Sequence, residues 1–266
     1  MAIEIKNCRL GFFSDLLYVL NMCHLAEKTD EDIIVGNFSH LYYDEKMGFQ
    51  NSFLQYFEDP YKNIDKTKKY PIKYNYLPNI ENVRMYKGLP ICGFILDIEL
   101  RKYIKFLIDK YIKIKPHIVE KINTIFENNF KDKKVLGIHV RQTDHGEHGK
   151  LVPNHIYLNI IKQNINNFDL LYVMADNYFI INELKAIYGD KLFHIEDIIR
   201  SEDNIKLTIL EEGKYDRYKL GEDILTETIL LSKCQKVILT NSNIGNFVMA
   251  NNQDFLYEYV DLKIKN

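Results

Sequence analysis

Between Val135 and Asp144 the chain reads Val-Leu-Gly-Ile-His-Val-Arg-Gln-Thr-Asp, an apolar run that ends directly in His139, Arg141, Thr143 and Asp144. A buried strand that turns at once into charged and hydroxyl side chains presents chemistry at its carboxyl end. The arginine sharpens the point. The sequence has only six, Arg9, Arg84, Arg101, Arg141, Arg200 and Arg217, among 35 Lys and Arg residues. An arginine's planar fork grips two phosphate oxygens at once, which a lysine's point charge does not do. The pattern also allows a plainer role, in which Arg141 pairs with Asp144 and closes the strand end.

Two further polar sets follow apolar runs in the same way, Asp176/Asn177 and Asn241/Ser242/Asn243. A Thr-Asn-Ser-Asn run at the start of a helix supplies a hydroxyl and free backbone N–H groups suited to an anion or a diphosphate. Ser242 or Asn243 as a simple N-cap is the competing role. The stretch Asp144-His-Gly-Glu-His-Gly149 gathers two histidines and two acids. His145 and His148, three apart on a glycine-broken loop, match none of the usual zinc spacings, so no metal site is expected. Glu147 or His148 beside a phosphate-gripping arginine fits a general base waiting for an acceptor hydroxyl, and a solvated polar loop is the alternative. Glu227 stands among Ile224, Leu225, Ile229 and Leu230. A carboxylate there can accept from the N1–H and exocyclic amine of guanine, or it is a solvated helix residue.

These groups need a frame. The opening reads as strand (3–6), a turn at Gly11, helix (about 14–27) and strand (33–38), a βαβ-like unit; 39–90, broken by Pro60, Pro71 and Pro78, reads as loops and short elements. Helices are expected over about 96–114 and 117–130. The polar run 128–134 is the linker-like segment, which sets a boundary between an N-terminal domain, 1–130, and a C-terminal domain, 131–266. Beyond it come strand 135–140, helix 153–165, strand 170–175, helix 178–188 stopped by Gly189, strand 192–195, helix 221–233, strand 237–240 and a short helix from 244. Strands alternating with helices of this length predict parallel βαβ units and a doubly wound sheet. Ligands of such sheets bind beyond the strand carboxyl ends, where the strand order switches.

Composition narrows the functions. A chain of 266 residues with 46% hydrophobic residues supports two small domains or one large one. A net charge of −2 argues against a nucleic-acid binder driven by backbone phosphates. Cys8, Cys23, Cys92 and Cys234 are far apart and include no CxxC, as expected of reduced thiols in a cytoplasmic protein. The first twenty residues lack a signal-peptide pattern and no window is apolar enough to span a bilayer, so at most peripheral membrane association is expected.

The order His139-Val-Arg-Gln-Thr-Asp144, Pro153 and Tyr157, Tyr172-Val-Met-Ala-Asp-Asn177, Glu227 with Leu231-Ser232, and Thr240-Asn-Ser-Asn243 resembles the fucosyltransferase superfamily that includes the core α-1,6-fucosyltransferases and the nodulation fucosyltransferase. The likeness spans about 135–250, with only a glycine-plus-helix start at Gly11 to Leu17 before it. It implies an α/β GT-B fold of two Rossmann-like domains, with the doubly wound parallel sheet in the nucleotide-binding C-terminal half and the acceptor side in the N-terminal half. It also implies inverting transfer from a GDP-sugar, usually GDP-fucose, to a glycan or glycolipid hydroxyl, with no metal or other cofactor. By the same likeness His139 lies near the guanosine, Arg141 binds the β-phosphate, Glu227 stands where the family reads guanine with an aspartate, and Ser242, with Asn243 beside it, helps hold the diphosphate. Asp176 is retained on the donor side. The family's second arginine is Gln142 here and its second acid is Asn177, which leaves open another GDP-sugar or a non-catalytic nucleotide- or glycan-binding protein. The resemblance puts the catalytic base at Glu147 or His148.

Overall fold

The computed structural model describes residues 2–5, 11–35, 38, 40–49, 52–60, 72–76, 98–143, 151–202, 215–240, 242–254 and 256–260. In the C-terminal half five strands, β4 (Val135–Val140), β5 (Leu170–Ala175), β6 (Leu192–Phe193), β7 (Lys236–Leu239) and β8 (Leu256–Tyr259), form one sheet in the order β6-β5-β4-β7-β8. All its pairings are parallel. Every residue of β4 and β5 is buried. That burial explains their unbroken apolar runs, since a parallel strand is covered on both faces. The chain builds outward from β4 through β5 to β6 and then returns to β4's other side with β7 and β8. The switch in strand order therefore falls between β4 and β7.

Alternation along each strand divides the core. Leu136, Ile138 and Val140 with Leu171 and Val173 face a cluster that includes Tyr157 and Ile161 of α5 (Asn154–Asn164) and Ile180 and Leu184 of α6 (Tyr178–Tyr188). Val135, Tyr172, Met174, Val237 and Leu239 face the opposite cluster, shared with α7 (Arg217–Leu231) and α8 (Asn243–Asn251). Gly137 belongs to this second face. A Cβ there would lie 2.7 Å from Leu231 Cδ1 and 2.8 Å from Cys234 Sγ, so the end of α7 approaches β4 more closely than any side chain permits.

The N-terminal half carries a three-stranded parallel sheet in the order β2-β1-β3, from β1 (Ala2–Ile5), β2 (Asp32–Val35) and β3 (Ile72–Tyr76). α1 (Phe12–Thr29) connects β1 to β2 and ends at Asp30 in the left-handed conformation, φ 52°. A short helix α2 (Phe53–Tyr56) and the pair α3 (Ile98–Tyr111) and α4 (Pro116–Asn129) complete it. Pro116 opens α4 at a position that needs no N–H donor. One continuous apolar cluster joins Phe12, Phe13 and Leu16 of α1 and Tyr56 of α2 to Leu225, Leu231 and Phe247. Phe13 and Phe247 meet at 4.9 Å between ring centroids. Within the polar run 128–134, Phe130 is buried against Tyr172 and Phe193, at 5.1 and 5.7 Å.

Two expectations change. α7 begins at Arg217, not 221, because the Asp216 carboxylate accepts from Lys219 N–H at 2.9 Å and caps the helix there. β8 adds an edge strand that the expected order lacks. Among the described residues no helix is long and apolar enough to cross a membrane.

Candidate functional site

The cleft opens where the topology places it, beyond the carboxyl ends of β4 and β5 and against α7, with a cavity of about 100 Å³. His139, Arg141, Asp176 and Glu227 line it, together with Arg200, Asp223 and, from the N-terminal half, Tyr42.

β4 delivers His139 and Arg141 by its period of two: Val140 points into the α5/α6 cluster, while His139, one residue earlier, lies on the α7/α8 face. His139 is 3% exposed, and its Nδ1 lies 3.4 Å from Ser242 Oγ. Ser242 is the N-cap of α8, accepting from Gly245 N–H at 3.0 Å. The cap and the contact with His139 thus share one hydroxyl, at the positive end of a helix beside the switch point. Asn243 turns elsewhere, its side-chain amide donating to Ser14 Oγ and tying α8 to α1.

Asp176 organises the loop that follows β4. Its carboxylate accepts from Gln142 N–H at 2.9 Å, Thr143 N–H at 3.1 Å and Thr143 Oγ1 at 2.8 Å. The backbone on the carboxyl side of Arg141 is therefore held by the end of β5. Gln142 is used up in the same seam: its carbonyl oxygen accepts from Asn177 Nδ2 at 2.9 Å and its amide donates to Asn154. Asn177 in turn caps α6 through Ile180 N–H. Asn154 in turn donates to Glu183 at 2.6 Å, so the Gln142 side chain links the start of α5 to that of α6.

Glu227 is 3% exposed and forms a buried ion pair with Arg200. Arg200 Nη2 donates to Glu227 Oε1 at 2.6 Å and Nη1 to Oε2 at 3.3 Å. The same guanidinium donates to the carbonyls of Ala175, at 2.6 Å, and Ile195, at 3.3 Å, so it ties the end of β5 to α7. Burial raises the Glu227 pKa, and the always-charged guanidinium opposes that rise. Asp223, one turn earlier on α7, is held by Lys219 at 2.7 Å and Lys121 at 3.4 Å.

Of the residues singled out in the sequence, His139, Arg141, Asp176, Glu227 and Ser242 come together, and Asn243 serves the α1–α8 contact. Asp144, Glu147, His148 and Asn241 lie outside the described residues. Among the described residues no three His, Cys, Asp or Glu side chains are grouped to hold a metal ion. Sequence reasoning missed the part that Arg200 and Asp223 play in the cleft. For Arg200 a signal existed, the scarcity of arginine that drew notice to Arg141.

A parallel five-stranded sheet with its cleft at this switch point, facing a second α/β half, is a GT-B arrangement. No protein-family model matches the sequence, and no curated protein matches it. Solved structures do match in fold. NodZ alpha-1,6-fucosyltransferase from Bradyrhizobium, in a crystal soaked with GDP-fucose, is 14% identical over 94% of this chain and 91% of its own, with a TM-score of 0.57. POFUT1 in its apo form is 10% identical over 97% of both chains, TM-score 0.55. A variant of Arabidopsis thaliana FUT1 in complex with GDP is 10% identical over 97% of this chain and 69% of its own, TM-score 0.55. The chain is thus similar in fold to fucosyltransferases of the GT-B type.

Proposed function

We propose that the protein is a glycosyltransferase that moves a sugar, most simply L-fucose from GDP-fucose, onto a hydroxyl of a glycan or glycolipid. One observation carries the reading. Arg141, His139 and the Ser242 cap of α8 meet at the switch point of a sheet whose fold is shared with fucosyltransferases, one of them in a crystal soaked with GDP-fucose. A diphosphate between the arginine fork and the α8 N-terminus meets charge and free N–H groups together. Negative charge grows on the leaving diphosphate in the transition state, and Arg141 opposes it where electrostatic stabilisation is worth most. Glu147 or His148 takes the proton of the acceptor hydroxyl, with inversion at the anomeric carbon and no metal ion. Such an enzyme works in the cytoplasm, at most at a membrane surface.

A second reading, transfer of another sugar from its GDP carrier, is favoured by Gln142, whose amide is committed to Asn154 and Asn177 and leaves one positive charge fewer near the diphosphate. A protein that binds nucleotide or glycan without turnover is the reading from another class.

Thermal-shift titration with GDP, UDP, CMP and ADP, with and without EDTA, tests the proposal on the wild type and Arg141→Ala. A ligand at 100 times its dissociation constant stabilises by about 2.7 kcal/mol. Selective stabilisation by GDP, indifferent to EDTA and lost in the variant, supports it. Equal response to all four nucleotides refutes the donor. Turnover of GDP-fucose should fall in Arg141→Ala by about 10²-fold or more, and near wild-type turnover would sink the mechanism.

A further inference from the structure

Three carboxylates line the cleft, Asp176, Glu227 and Asp223, although the proposed donor is itself an anion. Like charges set side by side oppose binding, most strongly where water is excluded. Two of the three are answered by groups already described. The loop after β4 donates three hydrogen bonds to Asp176, and Arg200 grips Glu227. Asp223 is answered from outside the cleft.

Asp223 is 3% exposed on α7 and, with Ile198, also lines a second cavity of about 690 Å³. It therefore stands in the wall between the two cavities. Lys219 reaches its Oδ2 at 2.7 Å from one turn earlier on α7, and Lys121 reaches its Oδ1 at 3.4 Å from α4, in the N-terminal half. Both lysines line the second cavity and neither lines the cleft. Lys121 is held from a second side as well. Its Nζ donates to Glu222 at 2.5 Å, and Glu222 accepts from Tyr218 Oη at 3.2 Å, which also meets His117 Nε2 at 2.7 Å. The two lysines balance Glu222 and Asp223, so these four side chains carry no net charge. Without Lys121 one negative charge is left over. Of the two acids, Asp223 has less water to screen it, its side chain being 4% exposed against 16% for Glu222.

We infer that Lys121 is a positioning residue for the donor: reaching across from α4, it holds Asp223 and cancels its charge, and so lets a cleft walled by three acids take a diphosphate. This rests on the nucleotide-sugar reading above and gives the N-terminal half a part in binding the donor. The effect is read in ligand charge. At separations of about 10 Å an uncancelled unit charge weakens binding by roughly threefold to tenfold for each charge on the ligand. Guanosine carries none and is indifferent to it, GMP feels it and GDP feels it most.

Calorimetric titration of the full chain with GDP, and displacement of GDP by GMP and by guanosine, tests this on the wild type, Lys121→Met, Lys121→Arg and Lys121→Met with Asp223→Asn. Lys121→Met should weaken GDP by roughly tenfold or more, GMP by less and guanosine not at all. Lys121→Arg keeps the charge and should bind all three as the wild type does. Adding Asp223→Asn removes the uncancelled acid and should return GDP to within about twofold of wild type. A Lys121 that only braces α4 against α7 would weaken the three ligands alike, and Asp223→Asn would not repair the loss. Either result overturns the inference, as does wild-type affinity for GDP in Lys121→Met. If that variant does not fold, Asp223→Asn alone decides: it should tighten GDP relative to guanosine, and an unchanged ratio overturns the inference. A wild type that prefers UDP to GDP overturns the donor reading alone, and the same series of UDP, UMP and uridine then tests Lys121. A wild type that binds no nucleotide overturns both.

Discussion

Replacing Gly221 by alanine sets two effects of opposite sign against each other. Gly221 lies inside α7, where alanine improves intrinsic helix stability by about 1 kcal/mol. Packing opposes it. A Cβ at Gly221 would lie 2.2 Å from Tyr56 Oη, 2.5 Å from Cζ and 2.8 Å from Cε1. Tyr56 has nowhere to go: it is fully buried, stacked on Tyr218 at 5.3 Å and met edge-on by Phe12 at 5.0 Å. Its hydroxyl donates to the Tyr42 carbonyl at 2.6 Å. Overpacking of a tight core costs about 1 to 3 kcal/mol, and contacts this short belong at the upper end. Breaking the Tyr56–Tyr42 bond adds about 1 kcal/mol. The helical gain offsets only part, which leaves a net loss of about 3 kcal/mol. For a chain of this size each kcal/mol moves Tm by about 2 to 4 °C, so Gly221→Ala should melt roughly 6 to 12 °C below wild type. Thermal and urea melts measure it. Because Tyr42 lines the cleft, GDP affinity should fall as well. In the background Tyr56→Leu, which removes the ring, Gly221→Ala should cost much less, a coupling that a double-mutant cycle reads directly. A Tm equal to or above wild type would mean that helix propensity wins and that α7 does not lie against Tyr56.

Gly137→Ala should destabilise by about 1 to 3 kcal/mol, since its Cβ would press on Leu231 and Cys234; unchanged urea unfolding would refute the close approach of α7 to β4. Asp176→Ala removes the acceptor for Gln142 N–H, Thr143 N–H and Thr143 Oγ1. It should lower kcat/KM by roughly tenfold or more, more than Thr143→Ala does, because bonds to a charged acceptor are worth about 1.5 to 3 kcal/mol; equal effects of the two variants would show that Arg141 is positioned otherwise. Acidification should destabilise the fold through two histidines. Burial, and then Lys28, lowers the His24 pKa, and burial, and then Arg200, lowers that of His194. Below 6.5 the unfolded chain therefore binds more protons than the folded one, and stability falls as pH drops from 6.5 through the lower folded values. Tm followed over that window should drop, and His24→Gln with His194→Gln should flatten the slope; an unchanged slope would refute the assignment.

What was legible in the sequence follows from where the deciding forces lie. β4 and β5 were plain because a strand buried on both faces must be apolar throughout, and that pattern is local. His139 and Arg141 were found for the same reason, as the first polar residues after such a run. Ser242 had two roles in the sequence, cap and ligand; the fold shows the cap and brings the capping hydroxyl to 3.4 Å from His139. Arg200 stayed hidden because its partner Glu227 is 27 residues away, beyond any helical or strand period, and only the folded sheet brings the two together. The apolar neighbours of Glu227 were visible, but the cation that lets a carboxylate sit 3% exposed among them was not.

Gly221 is the instructive error. Read locally, a glycine at that point marks the start of a helix; the start is set four residues earlier by the carboxylate of Asp216. The glycine is there because Tyr56, 165 positions away in the chain, occupies the space of a side chain. Through the Tyr56 hydroxyl, that close approach ties α7 to the carbonyl of Tyr42, which lines the cleft. A substitution that improves α7 as an isolated helix therefore disturbs the seam between the two halves, and with it the cleft where the donor is proposed to bind. Local propensity and tertiary packing conflict at this position, and packing prevails because the displaced ring is already held on three sides.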